Sequence, residues 1–246
     1  MARFFVKREN IQAGRATIAG PELEHLRRVL RLTVGDAVIL FDDAGFEHEA
    51  VIRSLNADRG ELEVSSSYEA GRESPLALTL ALGLTKGEKM DFVIEKASEL
   101  GVQRIQPFTS SFTVPKFDGK KIISRTERWQ KIALSAAKQS GRTQVPEILP
   151  LCDFAYMVAS AGTESLKLLF WERESARTLR QVHEANSGVN SILVAVGAEG
   201  GLSDDEAQMA IAQGFHTVHL GKRILRAETA VLAVLALTQF LWGDLS

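Results

Sequence analysis

The sequence predicts an α/β protein in which a largely parallel sheet with flanking helices follows a smaller β-rich domain. Three observations carry this. Short strand-like runs separated by turn residues crowd the first seventy positions. From Pro75 onward, apolar strands alternate with helical patterns, as in a parallel sheet. Between the two regions, residues 65–75 are polar and rich in chain breakers, which places a domain boundary near residue 72 and predicts domains over 1–72 and 73–246.

In the first region a helix is expected over about 21–30, with Pro21 in its first turn and Leu23, Leu26 and Leu30 as its apolar stripe. Arg27, Arg28 and Arg31 lie off that stripe. A strand at 37–41 enters through Gly35-Asp36, and a hairpin loop at 42–45 leads to a second strand through Val51 and Ile52. A turn over 56–60 opens a third strand at 61–64, whose strict alternation predicts one exposed face. Short strands at this spacing indicate a small barrel.

After the boundary, residues 76–82 form a continuously apolar strand, as burial on both faces requires. A helix over 86–100 turns Phe92, Val93, Ala97 and Leu100 inward and closes on Gly101. A second helix over 122–139 carries Trp129, Ile132, Ala133 and Ala136 on one stripe. Buried strands at 167–171 and 191–196 bracket a helix at 177–185. A helix at 203–213, a short strand at 217–220 and a helix at 227–242 complete the chain. The stretch 230–237 is apolar on every side, which predicts burial all round, in the core or partly against a second subunit.

Composition excludes several classes. With 246 residues, 45% hydrophobic and 24% charged, the chain is neither disordered nor a disulfide scaffold. Cys152 stands alone, so it forms no internal disulfide and fits a reducing cytoplasm. No apolar run approaches the roughly 20 residues of a membrane span, and the N-terminal run is too short for a signal peptide, so a soluble intracellular protein is expected. The net charge of -2 conceals blocks of opposite sign. Residues 1–35 hold seven cations against three acids, and 75–150 hold twelve against seven. From Lys116 to Arg142 there are eight cations against Asp118 and Glu127. Such segments are either solvated faces or, where they converge, the footprint of a phosphate backbone.

Three stretches carry candidate chemistry. Gly197-Ala198-Glu199-Gly200-Gly201 follows a buried strand and precedes a helix whose start is fixed by the capping box Ser203-x-x-Glu206. Ligands of parallel sheets sit at such strand ends. The spacing is neither a dinucleotide fingerprint nor a Walker loop. Glu199, Asp204, Asp205 and Glu206 would repel a pyrophosphate, so a neutral or cationic ligand is favoured, the alternative being a tight turn. Leu220-Gly221-Lys222-Arg223-Ile224-Leu225-Arg226 interleaves three cations with apolar residues that could flank a flat ring; the alternative is an exposed basic turn with two core anchors. Gln139-Ser140-Gly141-Arg142 could contact phosphate and base edge together, or simply end a helix. His216 and His219 lack companions for a metal site, and no Gly-x-Ser-x-Gly elbow exists.

Together these stretches, with Arg3-Phe4-Phe5, Thr85-Lys86-Gly87-Glu88-Lys89-Met90, Glu95-Lys96-Ala97-x-Glu99-Leu100-Gly101 and Leu220-Gly221-x-Arg223-Ile224-Leu225-Arg226-x-Glu228-Thr229-Ala230, closely resemble bacterial uridine-N3 methyltransferases of small-subunit ribosomal RNA, the RsmE family of the SPOUT superfamily. The resemblance spans nearly the whole chain. It departs at Ala198, where the family often has proline, and at Lys222, a variable position.

The resemblance implies S-adenosylmethionine as methyl donor, a PUA-like barrel for RNA, a catalytic SPOUT domain with a trefoil knot, a homodimer in the cytoplasm, and neither metal nor membrane. It implies cofactor contacts from Phe170, Glu172, Gly197, Glu199, Gly200, Gly201, Leu220, Gly221, Ile224, Leu225 and Thr229. RNA contacts fall to Arg3, Arg8, Arg27, Arg28, Arg31, Lys86, Lys138, Gln139, Arg142 and Arg223. Arg226 would stabilise an anionic uracil, and Glu228 or Glu199 would take its proton. The placement of Cys152 disfavours carbon-5 methylation through a cysteine adduct. A ribose 2′-O-methyltransferase of the same superfamily and a non-catalytic RNA-binding module remain the alternatives.

Overall fold

Strand periodicity in the first region builds one curled sheet. The computed structural model describes residues 1–113, 119–162 and 164–245. One unit comprises Met1–Glu73 with Ala137–Val145. Its six strands are β1 (Arg3–Phe5), β2 (Ile11–Gln12), β3 (Arg15–Ala19), β4 (Ala37–Phe41), β5 (Phe46–Leu55) and β6 (Arg59–Glu69), in spatial order β1-β4-β5-β6-β3-β2. β1 runs parallel to β4 and the other pairs are antiparallel. Register shifts between β5 and β6 at Glu49/Ala50 and Ile52/Ser54 bend the long hairpin, so that one face wraps a core of Phe4, Ile18, Leu40, Ile52 and Leu62. Helix α1 (Gly20–Glu24) continues into a π turn at His25–Val29 and adds Leu23 and Leu26 to that core.

Three expectations change here. Leu30 is exposed, because the wider π turn rotates it off the stripe and Arg31 follows in the left-handed region at φ 55°. Residues 65–69, expected as linker, extend β6, because β5 is long enough to pair out to Phe46 opposite Glu69. Ser65 and Ser66 donate across to the Glu49 carbonyl at 3.1 Å and the Glu49 carboxylate at 3.0 Å, which offsets their low strand preference. Finally, Ala137–Val145 groups with the first seventy residues.

The other unit comprises Ser74–Ala136 and Pro146–Ser246. Its strands are β7 (Ala77–Gly83), β8 (Arg104–Thr109), β9 (Glu147–Ile148), β10 (Cys152–Asp153), β11 (Leu166–Phe170), β12 (Ser191–Val196) and β13 (His216–Val218). They form a wholly parallel sheet in the order β10-β8-β7-β12-β11-β13, with β9 also on β8. β7, β11 and β12 are buried almost throughout, as their unbroken apolar runs demand. β8 was not legible, because Pro107 argues against a strand inside a sheet. The helices are α2 (Lys89–Glu99), α3 (Gly119–Ser140, of which this unit holds the part up to Ala136), α4 (Phe154–Ser160), α5 (Leu179–Ala185), α6 (Asp204–Ala212) and α7 (Ala227–Trp242). α4 and α6 pack with Ala81, Leu169, Leu193 and Ala195, while α2 packs on α7 and α7 lies along β12.

α2 starts at Lys89 rather than at 86, since Gly87 sits at φ 62° and blocks helical continuation. This frame buries Met90, Val93, Ile94 and Ala97 and leaves Phe92 exposed. α7 is not covered all round within this chain: Leu237 and Phe240 are exposed. The strand expected at 217–220 is His216–Val218, which releases Leu220 into a loop. Lys116 and Asp118 of the basic stretch lie outside the described residues. Among the described residues, no helix is long and apolar enough to cross a membrane.

Candidate active site

Three neighbouring strands of the parallel sheet end in register. Phe170 of β11 pairs with Val196 of β12 and Val218 of β13, so the loops after all three emerge at one edge. They enclose a cavity of about 560 Å³, within the range of small-ligand sites. Its walls include Phe170, Val196, Val218 and Leu220; its rim carries Glu172, Lys222, Arg223 and Arg226.

The glycine loop is shaped by its neighbours. The Gly201 N–H donates to the Ala198 carbonyl at 2.9 Å, closing a tight turn with Gly201 at φ 70°. A Cβ on Gly201 would overlap Oε1 of Glu172, and one on Gly200 would lie 2.7 Å from Cβ of Phe112. Trp171 Nε1 donates to the Leu202 carbonyl at 3.3 Å, tying the loop after β11 to this turn.

The four acids counted in this stretch part company. Ser203 and Glu206 form the expected capping box, and the second carboxylate oxygen of Glu206 accepts from the Ser111 N–H at 2.7 Å. Asp204 pairs with Arg173 at 2.6 Å. Of the four, Glu199 alone lines the cavity, joined there by Glu172 from the neighbouring loop.

Lys89 brings two of the predicted residues together. Its Nζ lies 3.0 Å from Oε1 of Glu199 and 3.5 Å from Oε2 of Glu228. Burial pushes the Glu199 carboxyl up. Hydrogen bonds from its own N–H, from Lys89 and from the Lys86 N–H outweigh that and hold it below the ordinary carboxylate range. The hydrogen bond to Glu199 leads in raising Lys89, with the charges of Glu199 and Glu228 adding to it.

After β13, His219 accepts the Gly221 N–H at Nδ1, 3.0 Å away, and turns the chain into the basic loop. Ile224 is 88% exposed, so it is no core anchor, although it borders the cavity. Arg226 is the N-cap of α7 and lines the cavity, whereas Glu228 and Thr229 do not line it. Ten of the eleven cofactor candidates line the cavity, as do Trp171, Ala198 and Lys222 from the three loops expected around it; Lys89, Val196, Val218, His219, Ala227 and Ala230 were not expected there. Lys89 carried a signal in the Thr85–Met90 motif; Trp171 and His219 follow strand ends directly.

Glu174 braces the first of these loops. Its carboxylate accepts the N–H groups of Ser175, Ala176 and Arg177 at 2.9, 2.7 and 3.2 Å, and the Thr217 hydroxyl. The Thr217 bond first, then these N–H groups, lower its pKa to about 2 from the ordinary 4.5. A depressed carboxyl contributes stability above its unfolded pKa and loses it as pH falls through the folded value. Glu174→Gln is therefore expected to melt below the parent at pH 7. The gap should close between about pH 4.5 and pH 2, as followed by thermal denaturation across that range.

The RNA candidates divide. Arg142 is 4% exposed and binds Glu73 through Nε at 3.0 Å and Nη2 at 2.7 Å, so it is an interior ion-pair residue, not a surface cation. Arg3 is drawn inward by Glu47 and by the Gly141 and Arg142 carbonyls. Lys138 binds Glu22 at 2.9 Å and covers the Phe4 ring. Buried Glu47 and half-buried Glu22 and Glu73 each need a partner, and these cations supply it. Arg8, Arg27, Arg28, Arg31 and Gln139 are exposed on the first unit, and Lys86 and Arg223 on the second. Cys152 is half-buried on β10, its thiol pushed up to about 11 by burial, and is absent from the cavity lining. Among the described residues, no cluster of histidine, cysteine and acids could hold a metal ion.

Residues 72–239 match the model of an RNA methyltransferase domain, and residues 18–65 match that of an RNA methyltransferase PUA domain. The chain is 32% identical to ribosomal RNA small subunit methyltransferase E of Bacillus subtilis over 99% of its own length and 100% of the relative's. Identity to the Synechocystis protein of the same name is 36%, over 95% of this chain and 76% of that one. The solved ribosomal RNA small subunit methyltransferase E of Neisseria gonorrhoeae, bound to S-adenosyl methionine, superposes with a TM-score of 0.88 at 35% identity, over all of both chains. A parallel sheet with a glycine-loop cavity, a curled sheet before it, and these full-length likenesses agree: the chain belongs to the RNA methyltransferase family of ribosomal RNA small subunit methyltransferase E.

Proposed function

We propose that this chain methylates N3 of a uridine in small-subunit ribosomal RNA, using S-adenosylmethionine. The observation that carries the reading is the cavity at the ends of β11, β12 and β13. Its volume and apolar walls fit a nucleoside, Glu172 and Glu199 offer carboxylates to a sulfonium, and the glycine spacing matches no pyrophosphate fingerprint. The residues that would hold it are Phe170, Glu172, Gly197, Glu199, Gly200, Gly201, Leu220, Gly221, Ile224 and Leu225. When bound, S-adenosylmethionine supplies a methyl group on a sulfonium.

The chain's own part is alignment and charge. Fixing the acceptor nitrogen behind the methyl group supplies much of the acceleration of a displacement. Arg226 stands at the positive N-terminus of α7, where it stabilises the uracil anion left when N3 gives its proton to a base, Glu199 or Glu228. Cys152 is not among the residues that line the cavity, and burial holds its thiol in the neutral form, which favours attack by nitrogen over a cysteine adduct at carbon 5.

In this reading residues 1–72 dock RNA through Arg8, Arg27, Arg28 and Arg31, and 73–246 form the catalytic domain, with Lys86 and Arg223 on its RNA side. The three cavity loops belong to a trefoil knot. The protein acts in the cytoplasm as a homodimer, a reading supported by the exposed Leu237 and Phe240 of α7. Calorimetry with S-adenosylmethionine should give one binding event, and small-subunit RNA from a deletion strain should gain one methyl, found as N3-methyluridine, when incubated with the protein and S-adenosylmethionine. A methyl on ribose would transfer the reading to 2′-O chemistry, and no binding heat would end it.

A further inference from the structure

We infer that Lys89 is a positioning residue of the methyl-transfer site, a cation shared by Glu199 and Glu228 that sets the glycine loop against the start of α7. The role assumes the S-adenosylmethionine site proposed above. Lys89 is the first residue of α2, Glu199 belongs to the loop after β12, and Glu228 is in the first turn of α7. One ammonium group therefore joins three elements that chain connectivity leaves independent. Its distances are 3.0 Å to Glu199 and 3.5 Å to Glu228.

The Glu228 carboxylate makes the junction demanding. Its Oε2 is buried and has no hydrogen-bond partner, so the Lys89 charge is what offsets the cost of holding it there. Glu199 has further support from the Lys86 N–H at 3.4 Å. Glu172, His219, Lys222, Arg223 and Arg226 are the other charged or titratable side chains around the cavity. The cations among them lie on the strand-end loop, which leaves Lys89 as the link between the two acids. Arg226 precedes Glu228 by two residues, so what fixes Glu228 also fixes the backbone that carries Arg226.

Removing the cation should leave two carboxylates near one another with no charge between them, and one of them should then bind a proton at higher pH. Lys89→Met is expected to weaken S-adenosylmethionine roughly three- to tenfold by calorimetry. It should also lower kcat and shift the acid limb of the kcat/KM profile toward neutral pH. Lys89→Arg should restore both affinity and profile. Because Lys89→Met leaves Glu228 unpaired, Lys89→Met with Glu228→Gln guards against a folding defect: the double variant should melt above the single one yet still bind the cofactor weakly. Parent-like affinity and an unshifted acid limb in Lys89→Met would overturn the role, as would a loss confined to melting temperature. A parent chain that itself binds no S-adenosylmethionine would instead sink the site on which the role depends.

Discussion

An Arg226→Ala variant is expected to bind S-adenosylmethionine as the parent does and to lose methyl transfer by a factor on the order of 10² to 10³ in kcat, the range for removing one preorganised charge stabiliser. Arg226 caps α7 with its backbone, the Ala230 N–H reaching its carbonyl at 2.8 Å, so alanine leaves that bond intact. The side chain is exposed at the cavity rim, and its truncation opens no core void. What disappears is a positive charge beside a helix N-terminus, at the place where the proposed mechanism develops an anion. Lys222 and Arg223 remain on the rim, so RNA affinity should fall less than kcat. Single-turnover methylation with saturating cofactor separates the two quantities. Parent-like turnover would remove Arg226 from the chemistry.

Gly83→Ala should damage the same site from beneath. Gly83 ends β7, and a Cβ there would overlap the Ala198 backbone nitrogen and come within 2.8 Å of the Gly197 carbonyl carbon. Those obstacles are backbone, so no side-chain rotation relieves them. Overpacking of this kind costs about 1–3 kcal/mol, several degrees of melting temperature in a chain of this size. The glycine loop must also shift from its place in the cavity wall, and cofactor affinity should fall about tenfold or more. Gly188→Ala, with nothing near the added methyl, is the control and should match the parent in both respects. Equal melting of the two variants would show that the loop yields freely.

Much of the fold could be read directly from residue patterns. The unbroken apolar run Ser191-Ile192-Leu193-Val194-Ala195-Val196 is a strand buried on both faces, and Ser203-x-x-Glu206 caps α6 as its spacing requires. Such features depend on neighbours along the chain. Errors arose where a distant partner decides the outcome. β8 was hidden by Pro107, and residues 65–69 looked like linker until the length of β5 supplied a pairing edge. Phe92 was placed inward beside Val93, whereas the stripe that packs is Met90, Val93, Ile94 and Ala97, which leaves Phe92 outside it.

The site divides along the same line. Its two loops were recognisable because glycine after a buried strand, and cations interleaved with apolar residues, are local compositions with chemical meaning. Which charges serve a ligand was not local. Arg142, Arg3 and Lys138 look like free cations in sequence and are consumed by Glu73, Glu47 and Glu22. Glu206 and Asp204 look like cavity acids and are spent on Ser111 and Arg173. By itself, the sequence determined the parallel sheet, the strand-end loops and the residue types at the cavity, since periodicity and turn chemistry act over a few residues. Only the tertiary structure decided which charged groups pair and which remain facing the cavity, because the energy of a charge depends on burial and on partners that folding brings from far along the chain.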